Sequence, residues 1–526
     1  MLSVLSAAPY AVGLLGFAFI FLFAYPYIEY LRDPKGLRKY PNLHPISGIS
    51  ALPFMLLAWT GSRSMELSRL HKKHPVIRTG PNTLSYGDTR AIKDIYGHNT
   101  KCTKDESYNI TSGSHFNLAD VIDKPDHARK RKVLSSAYAL KNLESWEYKV
   151  TDKIQRMFKH FDAVCTEAPK EDVASCRAAP DQKDATLDLR GWNNFFTLDA
   201  IADIGLSEKL GLLDQGHDLV TAERKDGTTY TTSLRDALYP TARKQSYIVW
   251  NYAWYPVINK MVNIFPFFNK MQKASENWEN IMWRRGNERL RRYDAGEKLD
   301  DFFQALMEDK NGNPNNLEFG EVVAECNIMM NAGSVTTAVA ITNCMYQLIK
   351  NPDILAKLRE ELDNVLDEDE SVADYDKVKH LPYLRAVLDE SLRLFSPTPH
   401  GLPRETPPEG TNILGEWVAG NTSVSMSALV AHRDEKIYPN ADKFIPERFL
   451  GEEGKALQPY FIAFSAGARS CIGRNISYLE QTKAVASMVH RYDFALSYPG
   501  WEMKREETMN WILGDMPVKI WRRTMA

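Results

Sequence analysis

From Leu317 to Lys350 the chain runs without a proline, and the middle of this stretch, Met329 to Ala340, carries no charged side chain. As a single helix rising 1.5 Å per residue it would be roughly 50 Å long, enough to cross a whole domain. The turn-forming run Asn311 to Asn316 precedes it, and Asn351 with Pro352 stops it. A helix that is apolar on nearly every face must be surrounded. The pattern therefore predicts a large body assembled around one buried central helix. Gly333 lies in its middle, where glycine costs about 1 kcal/mol relative to alanine. A glycine there is expected where something bulky comes close to the backbone.

Most other segments read as amphipathic helices. Short strand-like pieces appear at Val76–Arg78, Thr83–Tyr86, Trp417–Val418 and Thr422–Met426, so the body is expected to be mainly α with small β-sheets. Two polar stretches interrupt it: Ala163 to Thr186, read as a surface insertion, and Gly216 to Thr232. With 65 basic and 67 acidic residues the net charge is −2, so no global basic surplus points to nucleic acid. Neither glycine-rich nucleotide-binding motif is present, and a fused dinucleotide or P-loop domain is unsupported. Cys102, Cys165, Cys176, Cys326, Cys344 and Cys471 form no C-x-x-C pair. Scattered so widely, they suit a reducing compartment better than a disulfide framework.

Met1 to Ile28 contains no charged residue, and its apolar centre, Tyr10 to Ala24, would pass through much of a bilayer as a helix. Arg32, Lys35, Arg38 and Lys39 follow it; by the positive-inside rule they would hold the body in the cytosol. A single N-terminal transmembrane helix over residues 1–31 is expected. A proline-containing hinge over 32–55 and a catalytic domain over 56–526 would follow.

One segment carries chemistry. Phe464, Gly467, Arg469, Cys471 and Gly473 follow the spacing F-x-x-G-x-R-x-C-x-G. Two glycines allow a loop to turn tightly around the sulfur. Such a turn aims backbone N–H groups at a thiolate, and a helix starting after Gly473 adds the positive end of its dipole. The other five cysteines read as inert.

At these residues the sequence resembles the cytochrome P-450 superfamily, and most closely its fungal microsomal members, including those of secondary metabolism and the benzoate-hydroxylase type. Four more motifs stand in order: Ala332 to Thr337, similar to A-G-x-[DE]-T-[TS]; Glu390 to Arg393, matching E-x-x-R; His432 to Asp434; and Pro446 to Phe449, matching P-E-R-F. The resemblance implies the cytochrome P-450 fold and heme b (iron protoporphyrin IX) with Cys471 as its axial thiolate. It places Gly333 and Thr336 at the oxygen-activating face. Arg131, His127, Arg404, Arg469 and Phe464 would hold the cofactor, with the cations on its propionates. Glu390, Arg393 and Arg448 would form a buried ion network beneath. Electrons would come from NADPH through a separate FAD/FMN reductase (NADPH–cytochrome P-450 reductase), at the endoplasmic reticulum membrane with the catalytic domain cytosolic. Arg129, Lys130 and Lys132 read as a solvated basic face that could meet that reductase.

One departure matters. Val335 occupies the acid position beside Thr336, and Glu325, about 16 Å along the helix from Thr336, is too distant to replace it locally. Water, Ser334 or a group on the substrate would have to supply protons. Monooxygenation of a small apolar molecule is the leading expectation, as hydroxylation or oxidative coupling in secondary metabolite biosynthesis. A haem-thiolate isomerase or dehydratase that needs no external electrons, or a non-catalytic haem-binding protein, are the alternatives. Pocket walls are expected at Lys104–Leu118, Ser233–Trp254, Cys326–Thr336, Phe395–Leu402 and Trp511–Gly514.

Overall fold

The proline-free run folds as one helix, Phe319–Lys350, two residues shorter at its start than its pattern predicts. The computed structural model describes residues 24–110, 113, 115–165, 187–309, 311–498 and 500–523. Five helices build the site and are numbered along the chain: α1 (Lys124–Ala137), α2 (Leu189–Leu206), α3 (Phe319–Lys350), α4 (Pro382–Leu394) and α5 (Arg474–Arg491).

Helix α3 is the core. It packs along α2, and the two helices interlock through a reciprocal pair of glycine notches. A Cβ on Gly333 of α3 would lie 2.9 Å from the Ile201 side chain of α2, and one on Gly205 of α2 would lie 2.1 Å from the Met329 side chain of α3. Each glycine admits the other helix's knob, so the bulky neighbour expected at Gly333 is an isoleucine. The Asn193 amide donates to Thr342 Oγ1 at 3.0 Å across the same buried interface. On another side α5 lies against α3, with the Thr337 and Ser477 hydroxyls 3.0 Å apart.

A five-stranded sheet closes one end of the body. Its strands are β1 (Val76–Gly80), β2 (Thr83–Tyr86), β3 (Thr103–Lys104), β4 (Arg404–Glu405) and β5 (Ser423–Ser425), in the order β1-β2-β5-β4-β3. Strand β5 runs parallel to β2; the other pairings are antiparallel. The β3–β4 register sets Lys104 directly opposite Arg404. The expected mainly helical body with small sheets is thus observed, and three of the four strand-like pieces fall within one residue of the observed bounds. The fourth, Val76, extends to Gly80.

The polar interruption 216–232 is a hairpin, Leu219–Glu223 paired with Thr229–Ser233. Val220 and Ala222 point inward between exposed neighbours, and Gly227 turns the chain at φ 85°. Asp226-Gly227 between alternating residues was its signal.

The expected insertion at 163–186 lies almost wholly outside the described residues, as do residues 1–23 of the expected anchor. Among the described residues no helix is long and apolar enough to cross a membrane. The segment read as a hinge is fastened to the sheet. Arg78 of β1 donates its backbone N–H to Pro41 and accepts from Leu43, and Lys35 Nζ donates to the Asn421 carbonyl at 2.6 Å.

Candidate functional site

A cavity of about 360 Å³ lies between α3 and the cysteine loop. Helix α3 offers Glu325, Met329, Ala332, Gly333 and Thr336 to it, residues separated by three, four, seven and eleven positions and so sharing one face. Opposite them stand Phe464, Cys471, Ile472, Gly473 and Ile476.

The loop beneath the cavity is tightly determined. Cys471 donates its backbone N–H to the Phe464 carbonyl at 2.9 Å. Gly467 has φ +66°, and a Cβ there would lie 2.1 Å from the Tyr96 carbonyl oxygen, so this position admits glycine alone. Gly473 behaves otherwise: it caps α5 with φ −79°, and an added Cβ would sit 3.9 Å from the Cys471 sulfur, an ordinary contact. The tight turn expected of both glycines is required only at Gly467. Phe464 packs against Tyr478 at 5.1 Å between ring centroids.

The Cys471 side chain is accessible, yet it lies deep within the protein. What it is open to is the cavity. Burial pushes its thiol up, while the backbone N–H groups of Gly473 and Arg474 and the charges of Arg131 and Arg474 pull it down. The start of α5 thus pulls toward the thiolate as the loop spacing implies, but burial prevails and the thiol lies above its usual value. Among the described residues no cluster of three or more His, Cys, Asp and Glu side chains is placed to hold a metal ion. A metal held at Cys471 would need its remaining ligands from outside these side chains, as the haem implied by the resemblance would supply them.

Five basic side chains line one side of the cavity: Lys104, His127, Arg131, Arg404 and Arg469. Among the described residues none of them forms an ion pair with a carboxylate. Arg469 donates to the Val121 and Ile122 carbonyls at 2.9 and 2.8 Å, and Arg131 to the Ser470 carbonyl at 2.7 Å. Lys104 donates to the Leu118 and Ala119 carbonyls, and Arg404 to Tyr108 Oη and the Pro403 carbonyl. Burial, then the charges of Arg469, Lys104, Arg131 and Arg404, lower His127 to about 3. Burial and then Arg404 bring Arg469 down to about 10, and burial with Arg469 and Arg404 lowers Lys104. Like charges directly across a sheet repel, and the Lys104–Arg404 pair is buried. Such a cluster calls for anions. An apolar cavity above Cys471 with cations clustered in its wall fits haem, whose two propionates would meet them.

The ion network expected beneath is present. Arg393 grips Glu390 through two hydrogen bonds of 2.6 and 2.9 Å, and Arg448 Nε reaches the same carboxylate at 3.1 Å. Arg393 also donates to the His432, Ala441 and Lys443 carbonyls. His432, whose motif carried no assigned role, completes the link. Its Nε2 accepts the Ile462 N–H at 2.9 Å, so Nδ1 carries the proton and faces the Arg393 carbonyl at 3.1 Å. Burial, followed by Arg393, lowers this imidazole to about 3, keeping it neutral. It joins α4 to the start of the cysteine loop.

Other expectations change. Lys130 is buried, 2.6 Å from Glu321, and cannot belong to a solvated basic face; Arg129 shares that carboxylate. Of the expected pocket walls, 104–118, 326–336 and 395–402 supply lining residues. Ser233–Trp254 and Trp511–Gly514 supply no lining residue, although Trp250 stands edge-on to the lining residue His400 at 5.7 Å. Ser334 turns away and donates to the Met330 carbonyl at 2.7 Å, which removes it as a proton donor. Lys104 was read as a pocket wall rather than a cation of the cluster; its partner Arg404 is 300 residues away, and no local signal joins them.

The chain belongs to the cytochrome P450 family, whose model matches residues 50–519. It is 29% identical to a benzoate 4-monooxygenase, bphA, of Aspergillus niger over 525 residues, covering 96% of each chain. It is 28% identical to the cytochrome P450 monooxygenase efuB of Hormonema carpetanum, covering 88% of this chain and 86% of that one. Its fold matches a crystal structure of a cytochrome P450, CYP102L1, with a TM-score of 0.67 over 88% of this chain and 94% of that one, at 18% identity. The protein is accordingly an oxidoreductase of the monooxygenase type, and its family implies haem.

Proposed function

We propose that this protein is a membrane-anchored haem-thiolate monooxygenase that oxidises a small apolar molecule with electrons from NADPH, delivered by a separate FAD/FMN reductase. The observation that carries the reading is Cys471, alone beneath an apolar cavity whose wall holds clustered cations without carboxylate partners. Cys471 would be the axial ligand; Arg131, His127, Arg404 and Arg469, joined by Lys104, would hold the propionates, and Phe464 would pack beneath. Haem bound over a thiolate supplies the activation of molecular oxygen.

The protein's own residues set what happens around it. Thr336 donates its hydroxyl proton to the Ala332 carbonyl at 2.7 Å, so its lone pairs face the cavity and can hold a water or a substrate hydroxyl. Thr337 is paired with Ser477. Val335 is buried in the hydrophobic core, so no acid stands beside Thr336. A proton reaching Thr336 would come through cavity water or from the substrate. Glu325 and Thr336 share one face of α3, but the roughly 16 Å between them would need a chain of waters.

The uncharged N-terminus followed by Arg32, Lys35, Arg38 and Lys39 supports anchoring in the endoplasmic reticulum membrane with a cytosolic catalytic domain. The benzoate-oxidising relative supports an aromatic guest, and hydroxylation or oxidative coupling in secondary metabolism is the proposed setting. In Cys471→Ala, the red-shifted Soret band of the ferrous–CO complex should disappear while the far-ultraviolet circular dichroism stays unchanged. Retention of the band would sink the ligand assignment. Turnover without NADPH and reductase would instead favour isomerase or dehydratase chemistry.

A further inference from the structure

Once the five basic residues are assigned to the propionates, two polar residues lining the cavity have buried atoms with nothing to bond. Glu325 is 4% exposed and its Oε1 accepts no hydrogen bond. The nearest cation, Lys130 Nζ, stands 3.8 Å away and is itself engaged by Glu321 at 2.6 Å. His400 is 3% exposed; the Met509 backbone carbonyl stands at one ring nitrogen, and the other has no partner among the described residues. A buried polar group left unsatisfied loses its hydration without replacement. In a binding cavity, such groups are the ones a ligand can satisfy.

The two look in from different walls. Glu325 projects from α3, beside α1 and the Leu118–Asp120 turn. His400 follows α4, with Trp250 edge-on at 5.7 Å and the Arg63 charge nearby. Burial and then Arg63 keep the imidazole neutral, and the Met509 carbonyl on one side favours a ring proton there. The other nitrogen is then a lone-pair acceptor. Glu325 is the one carboxyl among the described residues that line the cavity, and above about pH 7, where it is ionised despite its burial, it too accepts. Two acceptors on separate walls call for two donors on the guest.

We infer that Glu325 and His400 are specificity-determining residues that select an apolar molecule carrying hydroxyl groups at two separate positions and exclude a carboxylate. This rests on the haem reading, because the exclusion holds only if the cations are taken by propionates. A substrate hydroxyl is also a proton source within the cavity, where Val335 and the turned Ser334 supply none. The inference separates this protein's guest from benzoate, the acid named in its Aspergillus niger relative.

The test is spectral titration, above pH 7 where Glu325 is ionised, of the full-length holoprotein with biphenyl and its para-dihydroxy, para-dimethoxy and para-dicarboxy derivatives. The dihydroxy compound should bind about tenfold or more tightly than the dimethoxy ether, since each lost hydrogen bond is worth roughly threefold to tenfold. The dicarboxylate should bind weakest. Glu325→Leu and His400→Phe should each lower the dihydroxy-to-dimethoxy ratio about threefold to tenfold. Glu325→Gln, which keeps an acceptor, should retain most of that ratio and admit the dicarboxylate more readily. Equal binding of diol and ether to the wild type would overturn the inference, as would tightest binding of the dicarboxylate. The wild-type series needs no variant to fold. A missing thiolate-type ferrous–CO band would point to failure of the haem reading instead, so the two failures are distinct.

Discussion

The two faces of the cavity are built to opposite standards. Beneath it, the cysteine loop is held at both ends. Cys471 bonds to Phe464, Arg131 bonds to Ser470, and His432 ties Ile462 to Arg393. Arg393 in turn is saturated by Glu390 and three carbonyls. Above it, α3 and the segment after α4 leave Glu325 and His400 with unbonded atoms, and the expected acid is the core residue Val335. A satisfied network fixes one geometry, whereas orphaned groups leave a geometry for a guest to complete. On the proposed reading, the lower face belongs to the reaction the family shares, and the upper face to this protein's substrate.

The largest effect should come from breaking the lower face. Glu390→Gln would leave the buried Arg393 and its half-buried neighbour Arg448 without their carboxylate, at a cost of about 3–5 kcal/mol. Denaturant unfolding should register that loss together with reduced haem content. A change under about 1 kcal/mol would show that the lower face is not the rigid member of the pair.

The upper face should show itself in pH dependence. Burial raises the Glu325 carboxyl from 4.5 to about 7. Between those values the folded protein keeps a proton that the unfolded chain has released. Stability from this group is therefore complete below about 4.5 and is lost as pH rises to about 7, on the order of 3 kcal/mol in all. Lys130, Asp120, Glu321 and the Leu118 backbone face the group. Glu325→Gln should flatten the slope of melting temperature against pH in that interval; an unchanged slope would place the titrating group elsewhere.

The smallest effect tests the border between the faces. Lys104→Gln removes one of two like charges paired across β3 and β4. Without haem, the variant should be more stable than the wild type by up to about 1 kcal/mol. With haem, it should release the cofactor faster, because one cation on the propionates is gone. Equal stability and equal haem release in both proteins would remove Lys104 from the cluster.

Much of the lower face was readable in order along the chain. Its chemistry depends on short spacings: the loop around Cys471, the three-residue step from Glu390 to Arg393, and the helix that begins after Gly473. The length of α3 was equally legible, since continuous apolar character without proline has few other outcomes. The role of His432 was not, because its partners Arg393 and Ile462 are 39 and 30 residues away. Nor was the burial of Lys130, which looks like any other lysine of a basic helix until Glu321 of α3 meets it.

The sequence by itself determined that a buried central helix and a glycine-flanked cysteine stand in one chain, and hence which family and which cofactor to expect. Local spacing suffices there, since the loop and the helix start beside the sulfur lie within a few residues of it. Tertiary structure alone decided what Gly333 is for, which cations meet, and which polar atoms are left over. Those outcomes depend on pairs such as Gly333 with Ile201 and Lys104 with Arg404. Their partners are distant in the chain and become neighbours only when the helices interlock and the sheet sets its register.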